Sequence, residues 1–506
     1  MSNKSFYKNS LMLIASNLTT GILGFTFSII LSRSLGAEGM GLYGLVMPIY
    51  NLFICLICGG VITAISKLSA IYFDEKSYFN LKSTIRTTLF FNLIWGVLIA
   101  ILVFFLAPFI SSFIIKDSRT VNAIRITCPA MVFIACSNIL KGYFYGTSEI
   151  LVPAIIDIFE KAVRISVIIS ISMIFKLSSV TTLVTVSYLA LCIGEFISLT
   201  FLYIYYKKSI YKLKDIKHTN RDGRGQLLFN VLIISLPLCL NGFLTTALDA
   251  LCTLLLPRRL LKAGIEYSMA LGLIGKFTGM TMNIVFFPMI VVGSISTLLI
   301  PDLSQTINKK DYDSAALRIK EVLKIALLLG LSTLAICNAI PTELGFMFFK
   351  RQDLGPFIAF ASLCAPFSYC SFTTYSILNG ISKQNIILRN SIIGALIEIS
   401  SLFILASIPS INIFGYGISL MITAIVVLIL NLYEINKHIK INFSLFQIVL
   451  PILIGVLCFF SLKIVSALTL PITGTFKNIF IIALGFSFFL IGIFIKDNTK
   501  NPSYYR

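Results

Sequence analysis

Apolar residues run along this chain in stretches of about 20, each long enough to cross a ~30 Å hydrocarbon core as a helix. The pattern predicts about fourteen such spans. The first six fall near residues 11–31, 42–66, 85–107, 123–146, 151–174 and 180–206. The next six fall near 228–250, 267–299, 319–340, 356–379, 386–408 and 413–433, and two more near 446–466 and 474–495. A polar segment, Lys207 to Gln226, parts the first two groups, and a basic loop, Glu434 to Asn442, precedes the last pair. The expected fold class is an all-α polytopic membrane protein. Its expected domains are a six-helix lobe at 1–206, a basic cytoplasmic linker at 207–226, a second lobe at 227–433, and a C-terminal region at 434–506 holding two additional helices and a cytoplasmic tail.

The polar residues that interrupt the apolar runs recur. Pro129, Leu140-Lys141-Gly142 and Glu160 are echoed by Pro366, Leu378-Asn379-Gly380 and Glu398, with the same glycine-to-glutamate interval in both copies. Upstream, Ile65-Ser66-Lys67-Leu68-Ser69 is answered by Ile300-Pro301-Asp302-Leu303-Ser304. The echoes lie six spans apart, so the halves share an orientation and form parallel repeats about an axis along the membrane normal, a layout used by alternating-access transporters.

Within the fifth predicted span, Asp157, Glu160, Lys161 and Arg164 stand at i, i+3, i+4 and i+7 and share one stripe of a helix. The spacing predicts pairs Asp157 with Lys161 and Glu160 with Arg164. A charge at that depth costs about 2.5–3.5 kcal/mol on insertion scales, so the stripe must face protein or water. In the second half the equivalent positions are Ala395, Glu398, Ile399 and Leu402. The ionic stripe therefore belongs to the N-terminal half. Lys141, Glu195, Asp249, Lys276 and Glu398 are further charges inside predicted spans, each a default site candidate.

Composition narrows the class. With 57% apolar and 12% charged residues, a soluble globular domain of this length is excluded. The net charge of +20 sits mainly in short inter-helix segments, as the positive-inside rule requires, and does not point to a nucleic-acid partner. Lys207 to Arg224 carries seven basic residues and predicts that this segment and both termini are cytoplasmic. Eleven cysteines, an odd count placed in or beside apolar runs, predict no disulfide framework. The only histidines, His218 and His438, lie in basic loops, and no Gly-x-x-x-x-Gly-Lys-Ser/Thr loop exists. No enzyme, metal or cofactor is expected.

At the end of the first span the chain reads Ser32-Arg33-Ser34-Leu35-Gly36-Ala37-Glu38-Gly39-Met40-Gly41-Leu42-Tyr43-Gly44. Its glycines suit close backbone approach at a membrane helix interface. Arg33 either binds an anionic headgroup in a bidentate manner or snorkels to the interface. This run, the six-plus-six-plus-two layout and the repeated Lys/Asn-Gly hairpin resemble the polysaccharide-exporter branch of the multidrug/oligosaccharidyl-lipid/polysaccharide superfamily over nearly the whole length. The resemblance implies a flippase fold with a central cavity, a lipid-linked saccharide for the spore cortex as cargo, and membrane lipids and cell-wall synthesis enzymes as partners. In the related lipid II flippases the arginine of a similar Arg-x-Phe-Gly-Ala stretch faces the cavity, and Arg33 matches that position. Those flippases carry an acidic residue soon afterwards, where this chain has Leu42-Tyr43, and an arginine further on, where it has the apolar run Leu52 to Cys58.

The expected substrate-binding residues are Arg33, Lys141, Lys161 and Arg164, cations suited to a diphosphate. Asp157, Glu160, Glu398, Asp249 and Lys276 are the expected ion-pair network. Two other readings remain open at this point. A cation antiporter of the same superfamily needs acidic residues dominating its cavity and no extra helix pair, and a membrane scaffold transports nothing and needs no buried ionic stripe.

Overall fold

The apolar runs fold as helices whose breaks fall at residues unable to continue one. The computed structural model describes residues 3–174, 179–213, 222–441, 443–468 and 474–494, and every regular element among them is helical. Part of the predicted linker, 214–221, and the C-terminal tail lie outside the described residues. The helices group into two compact units, Met1–Gly275 and Lys276–Arg506.

The first unit contains α1 (Asn3–Cys58), α2 (Val61–Asp74), α3 (Tyr78–Phe109), α4 (Val121–Gly146), α5 (Leu151–Ile174), α6 (Val180–Tyr211), α7 (Arg224–Lys262) and α8 (Tyr267–Ile274). A π-helical turn, Gly275–Thr281, follows. The second unit contains α9 (Met282–Phe286), α10 (Met289–Asn308), α11 (Tyr312–Ala339), α12 (Pro341–Phe349), α13 (Gly355–Ala361) and α14 (Ala365–Gly380). It continues through α15 (Gln384–Leu405), α16 (Phe414–His438), α17 (Leu445–Ala467) and α18 (Gly474–Phe494).

Thirteen described stretches are long and apolar enough to cross a membrane. The predicted spans 11–31 and 42–66 belong to one stretch, Ala15–Asp74. It is broken at Gly36 (φ 68°, ψ −172°), a conformation essentially closed to residues with a Cβ. The predicted span 267–299 is instead two stretches, Tyr267–Phe286 and Met289–Asn308. Pro288 stands between them as the residue that starts α10, because proline has no N–H to carry a preceding helix onward. The stretch that falls outside the thirteen is α5, 24 residues long and bearing the four charges of the stripe.

In the first unit α4 is central, packing against α2, α3 and α6. Of the glycines in the Arg33 to Gly44 run, Gly41 makes the expected close backbone approach. A Cβ on Gly41 would collide with the Leu271 carbonyl, and one on Gly275 with the Ala37 carbonyl. Here α1 and the end of α8 meet backbone to backbone. In the second unit α14 packs against α10, α11 and α16, and α11 also carries α17 and α18.

Each unit has a charged turn of the same backbone shape. In the first, Lys116 is left-handed (φ 65°), Asp117 is extended, a short 3-10 turn Ser118–Thr120 follows, and then α4 begins. In the second, Lys350 is left-handed (φ 58°), Arg351 is extended, a 3-10 turn Gln352–Leu354 follows, and then α13 begins. The charges are reversed. Arg119 forks onto Asp117 (2.8 and 3.0 Å) and reaches Glu38 at 2.7 Å. Asp353 instead receives both arms of Arg351 (2.9 Å each) and Lys276 at 2.8 Å. Glu38 and Lys276 occupy matching positions, in Leu35-Gly36-Ala37-Glu38 and Leu273-Ile274-Gly275-Lys276.

Candidate functional site

The stripe on α5 is the seed of a six-charge network that draws in α4 and α6. Arg164 bridges two carboxylates, Glu160 one turn earlier on its own helix and Glu195 of α6, the latter at 2.6 Å. Lys141 of α4 pairs with Asp157 at 2.7 Å. Lys161 lies 4.0 Å from Glu160, its neighbour in sequence, and adjacent residues on a helix do not face one another. Glu160 and Glu195 are almost wholly buried. Three cations and three anions make the cluster neutral, which is how a membrane interior accommodates charge.

Aromatic residues close the network. Tyr43 and Tyr50 of α1 stand within electrostatic reach of Arg164. Tyr188 of α6 stacks on Tyr43 with ring centroids 4.7 Å apart and donates its hydroxyl to the Tyr43 carbonyl at 2.7 Å. The Tyr50 hydroxyl is buried and has no hydrogen-bond partner among the described residues. Gly194 makes room for the ion pair. A Cβ there would lie 2.8 Å from Cγ of Arg164 and 3.0 Å from Oε1 of Glu160. Gly194→Ala is expected to lower stability by about 1–3 kcal/mol, the usual range for overpacking, read as a fall in thermal midpoint in detergent. In an Arg164→Ala background the same change should cost less, because the nearest of the two crowding side chains is gone and only Glu160 remains.

The structure thus brings together Lys141, Asp157, Glu160, Lys161 and Arg164, keeps the predicted Glu160–Arg164 pair and changes the other. Asp157 goes to Lys141 on the neighbouring helix, where the spacing predicted Lys161. Arg33 is exposed on α1, three residues before the Gly36 break, and Asp249 is exposed on α7. Lys276 and Glu398 belong to the second unit, where Lys276 pairs with Asp353 of the charge-reversed turn. Arg258 and Arg259 of α7 are half-buried, with the Arg258 guanidinium donating to the Ile114 carbonyl. Glu195 is the member that spacing does not connect to the stripe. Its sequence signal is an acid inside an apolar run, which marks a site without naming its partner.

These features define a polytopic membrane transporter fold with an ionic cluster inside its first unit. The chain belongs to the polysaccharide biosynthesis protein family, whose pattern matches residues 6–307. It is similar to stage V sporulation protein B of Bacillus subtilis (strain 168), at 26% identity over 91% of this chain and 89% of that protein. The lipid II flippase MurJ of the same organism is 20% identical over 79% of this chain and 77% of that protein. Among solved structures, lipid II flippase MurJ in an inward closed conformation superposes with a TM-score of 0.71 at 15% identity, covering 95% of this chain and 97% of that one. An inward-facing multidrug resistance MATE family transporter of the MOP superfamily gives 0.66 at 14% identity, covering 85% and 98%. The superfamily expected from the Arg33 to Gly44 run is the one these relatives represent.

Proposed function

We propose that this chain is an alternating-access flippase for a polyprenyl-diphosphate-linked saccharide, a cell-wall precursor serving spore cortex peptidoglycan, with both termini in the cytoplasm. The observation that carries the reading is the uneven hold on the cations of the network. Lys141 and Arg164 are fixed by carboxylates at short range, whereas Lys161 is only loosely paired, at 4.0 Å. A lysine in that state can exchange its weak partner for a phosphate oxygen without stranding a buried acid. Arg33, exposed and matching the cavity-facing arginine of the lipid II flippases, supplies a second cation. Lys141 and Arg164 then act by holding the network neutral and in register. The three carboxylates of the cluster are all engaged by cations, which does not favour a cation antiporter. The similarity to a lipid II flippase and to stage V sporulation protein B over most of their lengths supports the cargo class and the sporulation setting.

Reconstitution with a lipid-linked saccharide, followed by a headgroup accessibility assay, tests this reading. Losing one charged hydrogen bond, worth about 1.5–3 kcal/mol, corresponds to about a 10- to 150-fold loss. Lys161→Gln should lower translocation by that factor with the thermal midpoint unchanged, and Lys161→Arg should retain most of it. Undiminished translocation by a Lys161→Gln/Arg33→Gln protein would sink the diphosphate assignment and favour the scaffold. Cysteine labelling near Lys212 from outside intact cells would overturn the orientation.

A further inference from the structure

The first unit carries a second feature that joins charge to apolar volume. A groove of about 740 Å³ runs between α3 and α6 with α4 as its floor. On α3, Lys82, Arg86, Leu89 and Leu93 line it at helical spacing; on α6, Lys207, Tyr203 and Leu199 do the same in the opposite chain direction. Both walls therefore read from cation to aliphatic residue along the same axis, and α6 places Tyr203 between the two. The floor is apolar throughout, formed by the buried Leu140 and Cys136.

The cationic end is built. Lys82 Nζ donates to the Leu213 carbonyl at 3.0 Å, tying the start of α3 to the end of α6. Lys207 Nζ lies 4.8 Å from the Tyr203 ring centre. Among the described residues no carboxylate pairs with Arg86 or Lys207, in contrast to Lys141 of α4 and Arg164 of α5. The apolar side is open, with Phe90 at its edge 67% exposed.

We infer that this groove binds an anionic phospholipid of the surrounding bilayer, its phosphate on Lys82, Arg86 and Lys207 and an acyl chain along Leu140 and Cys136. The order of cations, aromatic rings and aliphatic residues is that of the membrane interface itself, where tyrosines sit at headgroup level. Basic pockets between transmembrane helices capture anionic headgroups in this way. A soluble phosphate would satisfy the cations and leave the apolar length unfilled. This assignment does not depend on the cargo reading, because its residues are distinct from Lys161 and Arg33.

Delipidated full-length protein in detergent is titrated with phosphatidylglycerol or phosphatidylcholine, with thermal unfolding and native mass spectrometry as readouts. Phosphatidylglycerol is expected to stay bound and to raise the midpoint, as any ligand of the native state does, and phosphatidylcholine to do so far less. Lys82→Gln/Arg86→Gln/Lys207→Gln should weaken phosphatidylglycerol binding by about 100-fold. Thr200→Trp, which fills the groove from an exposed position and leaves the charges intact, should also abolish the retained lipid. Equal binding of the two lipids, or an unchanged phosphatidylglycerol adduct in both variants, overturns the site. An equal midpoint shift from inorganic phosphate, or displacement of phosphatidylglycerol by a polyprenyl diphosphate at matched concentration, overturns the phospholipid as occupant.

Discussion

Arg164→Ala is expected to destabilise the protein by about 3–5 kcal/mol, the range for removing one partner of a buried ion pair. The change leaves Glu160 and Glu195 facing one another, both almost fully buried and with their shared cation gone. Glu160→Gln alone should cost less, because Arg164 still has Glu195. The double variant Arg164→Ala/Glu160→Gln should be more stable than Arg164→Ala, since only one carboxylate is then stranded. Midpoints of thermal unfolding in detergent close the cycle. Strict additivity would show that the two residues do not interact, and would dissolve the network as a unit.

The second large effect concerns the charged turns. Arg119→Ala removes the fork on Asp117, a residue only 6% exposed, and the contact with Glu38. A loss of about 1.5–3 kcal/mol is expected for charged hydrogen bonds of this kind. Reversing the whole set, with Glu38→Lys, Asp117→Arg and Arg119→Asp together, should recover most of that loss. The second unit holds the reversed set, Lys276, Arg351 and Asp353, on a turn of the same backbone shape. Recovery should fall short by about 1 kcal/mol, the worth of a capping bond. Asp117 accepts the Arg119 backbone N–H at 3.0 Å, and Arg351 has no such capping bond to give. A triple variant no more stable than Arg119→Ala would mean that the sign of the charges is fixed by something other than their mutual pairing.

Most of the architecture was legible in the sequence, and for reasons that act locally. A run of about 20 apolar residues must be a membrane helix, because no other isolated segment satisfies its backbone there. Gly41 announced a close crossing because the absence of a Cβ matters at such a place. The echo of Lys141-Gly142 in Asn379-Gly380 pointed to two related halves, and the single stripe on α5 was visible in its 3.6-residue spacing. Where helices stop was less legible. Pro288 divides a run that hydropathy alone reads as one span, since a single residue barely moves the average over a long apolar run.

Spacing named Glu160 as a partner of Arg164, and the structure keeps that pair; the other partners were decided by the tertiary structure. Spacing predicted Asp157 with Lys161, yet an i,i+4 pair is worth only about 0.2–0.5 kcal/mol. Leaving Lys141 unpaired inside the unit would cost several times more, so Asp157 turns to α4. Glu195 joins Arg164 from 31 residues away, and Lys276 finds Asp353 across the second unit. No periodicity encodes such pairs. The sequence by itself determined which segments enter the membrane and which of them carry charge, because burying a helix or an ion has a cost that composition reveals. Which charge neutralises which across helices was left to the packing of α4, α5 and α6, because that depends on distances between helices, and a one-dimensional pattern contains none.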